Sequence, residues 1–296
     1  MSLKNHPNTF IIGAPKCGTS ALSNFMSQHE QVFFSPIKEP LYYGRNASKQ
    51  TGLCFSEYLK LFKKANPKKH RIIAEATPCI LYDVASIKEI LSRCPDANFI
   101  VLIRNPVDTV ISAFIQTKKH KHCDISSNVD EAWATCLSNR RQGFEVCFKY
   151  DDHFLYYKHI FNLLEIIDAN RLKIILHEDL LVKPLAVLAD FFSFLGIDDE
   201  FVPKLSIINP RGVLKRGWLI DLSVLIWHKL KKIRHLLGLY NLNFIKNMLM
   251  DTSSSSVENF IKISPNTRAS IVEHHLSDII QLEQLIGRDL SHWKNI

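Results

Sequence analysis

Residues 10–20 read FIIGAPKCGTS, and this stretch decides the fold that the sequence predicts. It joins an apolar strand segment, residues 10–12, to a turn bounded by Gly13 and Gly18 and to a helix that begins at Thr19. A turn of this kind points consecutive backbone N–H groups and a helix N-terminus at one place, where they can hold an anion. The stretch therefore predicts an anion cradle at the carboxyl end of a buried strand.

The cradle has the glycine spacing of a phosphate loop but a different lysine position. A nucleoside triphosphatase needs lysine directly after the second glycine, where it reaches the β- and γ-phosphates. Here Thr19 follows Gly18, and the lysine, Lys16, lies inside the turn. The pattern indicates a phosphate-like group other than the usual triphosphate.

Length and composition indicate an ordinary globular α/β protein. The chain has 296 residues, of which 46% are apolar and 22% charged, enough to bury a sizeable core. The sequence contains no run of about 18 apolar residues, so we expect no transmembrane helix. The first ten residues lack the apolar region of a secretory signal, so we expect no such signal. Seven cysteines without a C-x-x-C pair are typical of a reducing compartment, so we expect a cytoplasmic location.

The net charge of +8 favours an anionic ligand. Because the basic residues are scattered and lack interleaved aromatic residues, we expect no nucleic-acid partner. The one dense run, residues 118–123, has no closed zinc spacing and is better interpreted as a basic helix end, so we expect no metal.

Apolar strand segments alternate with amphipathic helical segments along most of the chain. The predicted strands are residues 10–12, 32–34, 71–74, 99–103 and 172–176, with 99–103 expected to be a central parallel strand. Strands separated by helices predict right-handed crossovers and a P-loop-like parallel β-sheet flanked by helices.

The pattern changes after residue 203, where a polar, basic turn region, residues 209–217, precedes a basic helical segment, residues 218–250, and a flexible serine stretch, residues 252–256. We expect one domain over residues 1–296, with residues 209–260 as a helical excursion that covers the ligand. The basic face of 218–250 has two interpretations, packing on an internal core and weak contact with a membrane surface. A final helix is predicted over 265–286.

In a parallel sheet, ligands bind at the carboxyl ends of the strands. The strand at 99–103 ends in Arg104, and Ser112 follows on the next helix. Arginine and serine suit a second anion, although Arg104 could instead pair with a buried carboxylate such as Glu75. The site therefore shows two anion-binding centres and no clear metal-holding aspartate, although Glu75 or Glu178 could serve in that role.

Five motifs in this order resemble the superfamily of sulfotransferases that use 3′-phosphoadenosine 5′-phosphosulfate (PAPS). They are residues 10–22 (FIIGAPKCGTSAL), 35–43 (SPIKEPLYY), 73–82 (IAEATPCILY), 99–114 (FIVLIRNPVDTVISAF) and 285–293 (LIGRDLSHW). The similarity is to the branch that includes bacterial sulfotransferases and heparan sulfate sulfotransferase domains.

This resemblance implies transfer of a sulfuryl group from PAPS to a hydroxyl or amine acceptor, without a metal, releasing adenosine 3′,5′-bisphosphate (PAP). On the donor side, Lys16 would stabilise the leaving phosphate, and Arg104 and Ser112 would hold the 3′-phosphate. The 5′-phosphate would be held by the residues of the turn, namely Cys17, Gly18, Thr19 and Ser20. Lys215 and Arg216 would belong to a loop over the cofactor.

On the acceptor side, the resemblance implies that Glu39 takes the proton from the acceptor, with Lys38 adding positive charge beside it. Leu41 replaces a histidine that is frequent in the family, which favours a less polar acceptor. The acceptor classes that fit are a carbohydrate, a lipid-linked sugar and a small molecule. Two alternatives remain open, a P-loop kinase or triphosphatase and a non-catalytic protein that binds PAPS or PAP.

Overall fold

A computed structural model of the chain describes residues 5–44, 53–119, 126, 128–138, 149–205, 212–214, 254–256 and 262–295. Its contacts divide the chain into two compact units, residues 1–206 with 263–296, and residues 207–262. The helix expected over 218–250, its two possible contacts and the residues Lys215 and Arg216 lie outside the described residues. A single domain over 1–296 stays a prediction.

The first unit is built on a five-stranded sheet in which all neighbouring strands are parallel. Its strands are β1 (Thr9–Gly13), β2 (Val32–Phe34), β3 (Ile72–Ala76), β4 (Asn98–Ile103) and β5 (Leu172–Leu176). Their order is β2-β3-β1-β4-β5, which confirms the predicted α/β fold. The segment 99–103 lies in β4, which is flanked by β1 and β5 and is therefore an interior parallel strand as expected, while β1 occupies the middle of the sheet.

Nine helices of at least six residues are found in the described part of the chain. They are α1 (Thr19–Met26), α2 (Phe55–Lys60), α3 (Val84–Arg93), α4 (Pro106–Lys119), α5 (Val129–Leu137), α6 (Tyr156–Leu164), α7 (His177–Val182), α8 (Pro184–Phe194) and α9 (Pro265–Ile286). Short 3-10 turns occupy Pro78–Tyr82, Ala169–Arg171 and Ser291–Trp293. No helix in the described residues is both long and apolar enough to cross a bilayer.

The core lies around β1 and β4, since every residue of β1 and five of the six residues of β4 are buried. Strands covered on both faces need continuous apolar runs, and both segments provide them. Across the β1–β4 pair, the rings of Phe10 and Phe99 stack with their centroids 6.0 Å apart. This packing fixes the position where β1 ends, and with it the start of the cradle.

The strand order places the cradle at a change of direction in the sheet. From β1 the chain builds β2 and β3 on one side and then crosses to β4 and β5 on the other. Ligands bind at such a switch point in open α/β sheets. The Ala14 N–H donates to the Leu102 carbonyl at 2.7 Å, which ties the loop after β1 to β4.

In the second unit, Gly212–Leu214 (β6) pairs antiparallel with Ser254–Ser256 (β7). The sequence had indicated a polar turn at 209–217 and a flexible stretch at 252–256, and this expectation is wrong for the paired residues. Backbone pairing needs no apolar side chains, so a serine run can form a short strand that hydropathy does not reveal.

Helix α9 has the bounds that the sequence predicts, because both its ends carry local signals. The Ser264 hydroxyl accepts from the Thr267 N–H at 3.1 Å, and Pro265 occupies the first turn. Gly287 ends the helix with a φ of 61°. An added Cβ at Gly287 would meet no atom within 4 Å, so only backbone conformation opposes a side chain there.

We expect Gly287→Ala to lower the free energy of unfolding by about 1 kcal/mol, because an L-residue with a Cβ is strained in the left-handed region. Urea denaturation measures this change. Gly287→Asn is the matched control and should cost less, since asparagine tolerates this conformation. A Gly287→Ala variant as stable as the wild-type protein would contradict the left-handed backbone conformation of residue 287.

Candidate functional site

The turn between β1 and α1 has the shape that an anion cradle requires. Lys16 and Gly18 both have left-handed backbone conformations, with φ of 69° and 95°. Gly18 is the N-cap of α1 and provides no side chain to accept from the first turn of the helix. Because the first N–H groups of a helix have no intrahelical acceptor, the N–H groups of Thr19 and Ser20 could bind an anion at this end of α1.

Gly18 is required by space as well as by conformation. A Cβ at this position would lie 2.9 Å from Cδ2 of His177, the first residue of α7. The imidazole of His177 therefore packs directly on the cradle. His177 directly follows the predicted strand 172–176, but no sequence signal marked it as a site residue.

The lysine of the cradle is directed towards helix α4. Its Nζ donates to Oε1 of Gln116 at 2.7 Å. Gln116 lies one helical turn after Ser112, so both share the face of α4 that borders the cradle. Gln116 is therefore a contact of Lys16 that sequence reasoning missed, and the roles expected for Lys16 and Ser112 stay predictions.

The predicted acceptor-side residues meet the first turn of α1. Nζ of Lys38 donates to Oγ of Ser20 at 2.6 Å and lies 3.4 Å from Oε1 of Glu39. Glu39 and Leu41 have φ of 52° and 58°, and the Glu39 N–H donates to the Ala76 carbonyl at 3.1 Å. The loop is therefore anchored on the end of β3, with the exposed Glu39 carboxylate next to the cradle.

Arg104 is buried at the carboxyl end of β4, with 7% of its surface exposed. Its one ion pair in the described residues is with Asp108, at 3.4 Å, and its buried Nε has no hydrogen-bond partner. A buried donor without an acceptor destabilises a protein, so the guanidinium suits an anionic ligand. The alternative in which Arg104 pairs with Glu75 is wrong, because Arg104 pairs with Asp108.

Glu75 is fully buried at the end of β3. Its carboxylate accepts from the Tyr58 hydroxyl at 2.8 Å and from Oγ1 of Thr77 at 2.6 Å. Burial raises the pKa of Glu75 from its usual 4.5 to about 7, the two hydrogen bonds oppose this shift, and nearby Glu39 adds to it. Two carboxylates of different exposure therefore lie near the cradle.

Behind the cradle, Cys17 is part of a buried hydroxyl network. Its Sγ lies 3.4 Å from the Tyr156 hydroxyl, which donates to Oγ1 of Thr109 at 3.1 Å. Burial raises the pKa of the Cys17 thiol to about 11, so the thiol stays protonated near neutral pH. Cys17 therefore supports the turn and is no nucleophile.

The remaining predicted residues fall into two groups. Thr19 is buried, and Ser20 and Ser112 are half-buried, all on the elements that border the cradle. Lys215 and Arg216 are outside the described residues. No group of three or more histidine, cysteine or carboxylate side chains in the described ranges could hold a metal ion.

The fold and the site define an α/β protein with a P-loop-like anion cradle on β1 and a second, buried cationic centre on β4. The model of the sulfotransferase domain family matches residues 6–212, more than half of the chain. The chain therefore belongs to the sulfotransferase domain family, which confirms the resemblance to the PAPS-dependent sulfotransferase superfamily.

Individual relatives match over shorter or more divergent stretches. Human heparan sulfate glucosamine 3-O-sulfotransferase 6 is 29% identical over 116 residues, covering 38% of this chain and 31% of the relative. Mouse carbohydrate sulfotransferase 15 is 28% identical over 153 residues, covering 37% of this chain and 27% of the relative. The matches thus span less than a third of the length of these curated relatives.

Among solved structures, a sulfotransferase from Alicyclobacillus acidocaldarius has the same fold. It superposes with a TM-score of 0.72 at 24% identity and covers 98% of this chain and 99% of the other.

We expect the buried Glu75 to make stability depend on pH. The folded state binds the Glu75 proton more tightly than the unfolded state, so the free energy of unfolding falls as pH rises from 4.5 to about 7. The fall from this group is about 3 kcal/mol at most. Urea denaturation across this range should show the slope in the wild-type protein.

Glu75→Gln should remove that component of the slope, because the amide cannot titrate. Glu165→Gln, at an exposed carboxylate, is the matched control and should follow the wild-type profile. If Glu75→Gln keeps the full slope, Glu75 is not the titrating group.

Proposed function

We propose that the protein transfers the sulfuryl group of PAPS to a hydroxyl or amine of an acceptor and releases PAP. The observation that carries this proposal is the pairing of two anion-binding centres on adjacent strands. One is the lysine-containing cradle after β1, and the other is Arg104 after β4, with a buried Nε that has no partner. A nucleotide with charged groups at both its 5′ and 3′ positions matches this pairing.

On the donor side, the 5′-phosphosulfate would be held by the N–H groups of Thr19 and Ser20, with Cys17 and Gly18 forming the turn. The bond between sulfur and the bridging oxygen breaks, and the electron pair stays on the phosphate of PAP. The Lys16 amine would stabilise this charge, and Gln116 on α4 accepts a hydrogen bond from the amine. Arg104 and Ser112 would hold the 3′-phosphate.

On the acceptor side, a new bond forms between sulfur and the acceptor oxygen or nitrogen, and the acceptor proton passes to Glu39. Glu39 is preferred over Glu75 as the base because its carboxylate is exposed, whereas both oxygens of Glu75 accept hydrogen bonds inside the protein. Lys38 links Glu39 to Ser20, so the base is held beside the 5′ side of the cradle.

For the acceptor, the heparan sulfate and carbohydrate sulfotransferase relatives support a carbohydrate, and Leu41 supports one with an apolar portion, such as a lipid-linked sugar. A small-molecule acceptor belongs to the same proposal.

We also propose a cytoplasmic location. It is supported by the five described cysteines, all of which are free thiols.

Arg104→Lys tests the donor site. A lysine cannot reproduce the two parallel donors of a guanidinium, so we expect the Kd for PAP to rise at least about tenfold. The affinity for adenosine 5′-monophosphate, which lacks the 3′-phosphate, should change much less. Isothermal titration with both nucleotides, with and without magnesium, measures this.

The matched control is Arg93→Lys, because Arg93 also has a buried Nε without a partner but lies at the C-terminal end of α3. It should leave the affinity for PAP unchanged. Wild-type protein that binds no PAP, or binds it only with magnesium, would overturn the proposed function. Tight magnesium–ATP binding would instead favour a kinase or triphosphatase.

Glu39→Gln tests the base. We expect transfer from labelled PAPS to fall by about 10²–10⁴-fold, as for loss of a general base, with the affinity for PAP retained. The assay uses a panel of acceptors, namely a heparan-type saccharide, a lipid-linked sugar and a phenol.

Glu75→Gln, measured in parallel, shows which of the two carboxylates is the base. It should keep most of the transfer activity. If Glu75→Gln loses transfer and Glu39→Gln keeps it, the assignment of the base is wrong. If the wild-type protein binds PAP but sulfates none of the acceptors, the result favours the alternative of a non-catalytic protein that binds PAPS or PAP.

A further inference from the structure

Helix α7 forms one wall of the cradle but has few means of its own to stay folded. His177, its first residue, packs on Gly18. The helix has six residues, and its N-cap, Leu176, makes no side-chain capping bond. Helices of this length are unstable alone, so contacts with other elements must hold α7 in place.

Besides packing on α8 and β5, α7 makes side-chain contacts with the C-terminal tail, residues 287–295. Oε1 of Glu178 accepts from Nε1 of Trp293 at 2.7 Å and lies 3.0 Å from Nε2 of His292. Arg288 pairs with Asp179 at 2.7 Å. We refer to these five residues as the tail latch.

The bond between Trp293 and Glu178 has the most deeply buried donor of the tail latch. The side chains of Arg288 and His292 are about half exposed, and exposed ion pairs contribute little to stability. Trp293 is 1% exposed, so its N–H would lose its acceptor inside the protein if the contact opened.

Trp293 also touches a second element behind the cradle. The edge of its ring meets Tyr156, with centroids 6.2 Å apart and an interplanar angle of 62°. Tyr156 in turn lies 3.4 Å from the sulfur of Cys17. A single side chain at the end of the chain therefore contacts the supports of both Cys17 and Gly18.

We propose that Trp293 is a positioning residue for the cradle. It holds α7 against Gly18 through Glu178 and holds Tyr156 against Cys17 by ring contact. This inference rests on the proposed function, because the ligand of the cradle is taken to be the 5′-phosphosulfate group.

Trp293→Phe tests the proposal because phenylalanine keeps most of the buried ring and removes the N–H donor. We expect the Kd for PAP to rise about fivefold to tenfold, the change that loss of one typical hydrogen bond produces. The KM for PAPS should rise by a similar factor while kcat changes less, since the latch acts on binding of the donor. Hydrogen exchange should become faster at residues 14–20 and 176–182.

Lys294→Met is the matched control. Lys294 is the neighbouring residue of the tail, but its amine pairs with Glu283 of α9 and not with α7. It should leave the Kd for PAP and the exchange of both segments unchanged. If Trp293→Phe does not fold, Glu178→Ala removes the acceptor of the same bond and should produce the same increase in Kd.

The outcomes separate this proposal from the proposed function. Folded Trp293→Phe or Glu178→Ala with wild-type Kd and wild-type exchange overturns the positioning role. If the wild-type protein binds no PAP, the proposed function is overturned. The positioning role is then tested by hydrogen exchange at residues 14–20 alone: faster exchange in Trp293→Phe supports it, and wild-type exchange overturns it.

Discussion

The hydrogen bond from Ala14 to the Leu102 carbonyl is the constraint on which the site depends. It ties the loop after β1 to β4 and thereby sets the distance between the cradle and Arg104. The loop then needs left-handed backbone at Lys16 and Gly18, which costs free energy at the lysine because it carries a Cβ. Backbone strain of this kind persists only where surrounding contacts hold it, and it is found mostly at functional sites.

Electrostatics follow from this geometry. The cradle directs N–H groups and the N-terminus of α1 at one point, and Arg104 adds a buried positive charge on the next strand. In the described residues, Arg104 has only the long contact with the exposed Asp108, so its charge is poorly neutralised by the protein. An anionic ligand would neutralise both centres together, and its binding would therefore stabilise the folded chain.

The sequence was sufficient to predict the strands and the residues at their carboxyl ends, because apolar runs and the glycine, proline and serine signals are local. It did not reveal the bond between Lys16 and Gln116, which are 100 positions apart. Nor did it reveal that Tyr58 and Thr77 hold Glu75, because a buried hydrogen bond leaves no periodic pattern. Helix α7 was missed since it follows β5 without a turn signal, and six residues are too few for a helical period to show.

The contacts of the C-terminal tail explain why segments far apart in the sequence contribute to one site. Residues 10–20 form the cradle, but the cradle is not self-supporting. Residue 18 must lack a side chain because the His177 ring packs against it. His177 in turn begins a helix that is too short to fold alone. Part of its support is provided by Trp293, 275 positions after Gly18, in the last turn of the described chain. The motif at residues 285–293 thus gains a physical reason that its resemblance to a family terminus did not provide, since it completes the wall of the cradle that the first motif begins.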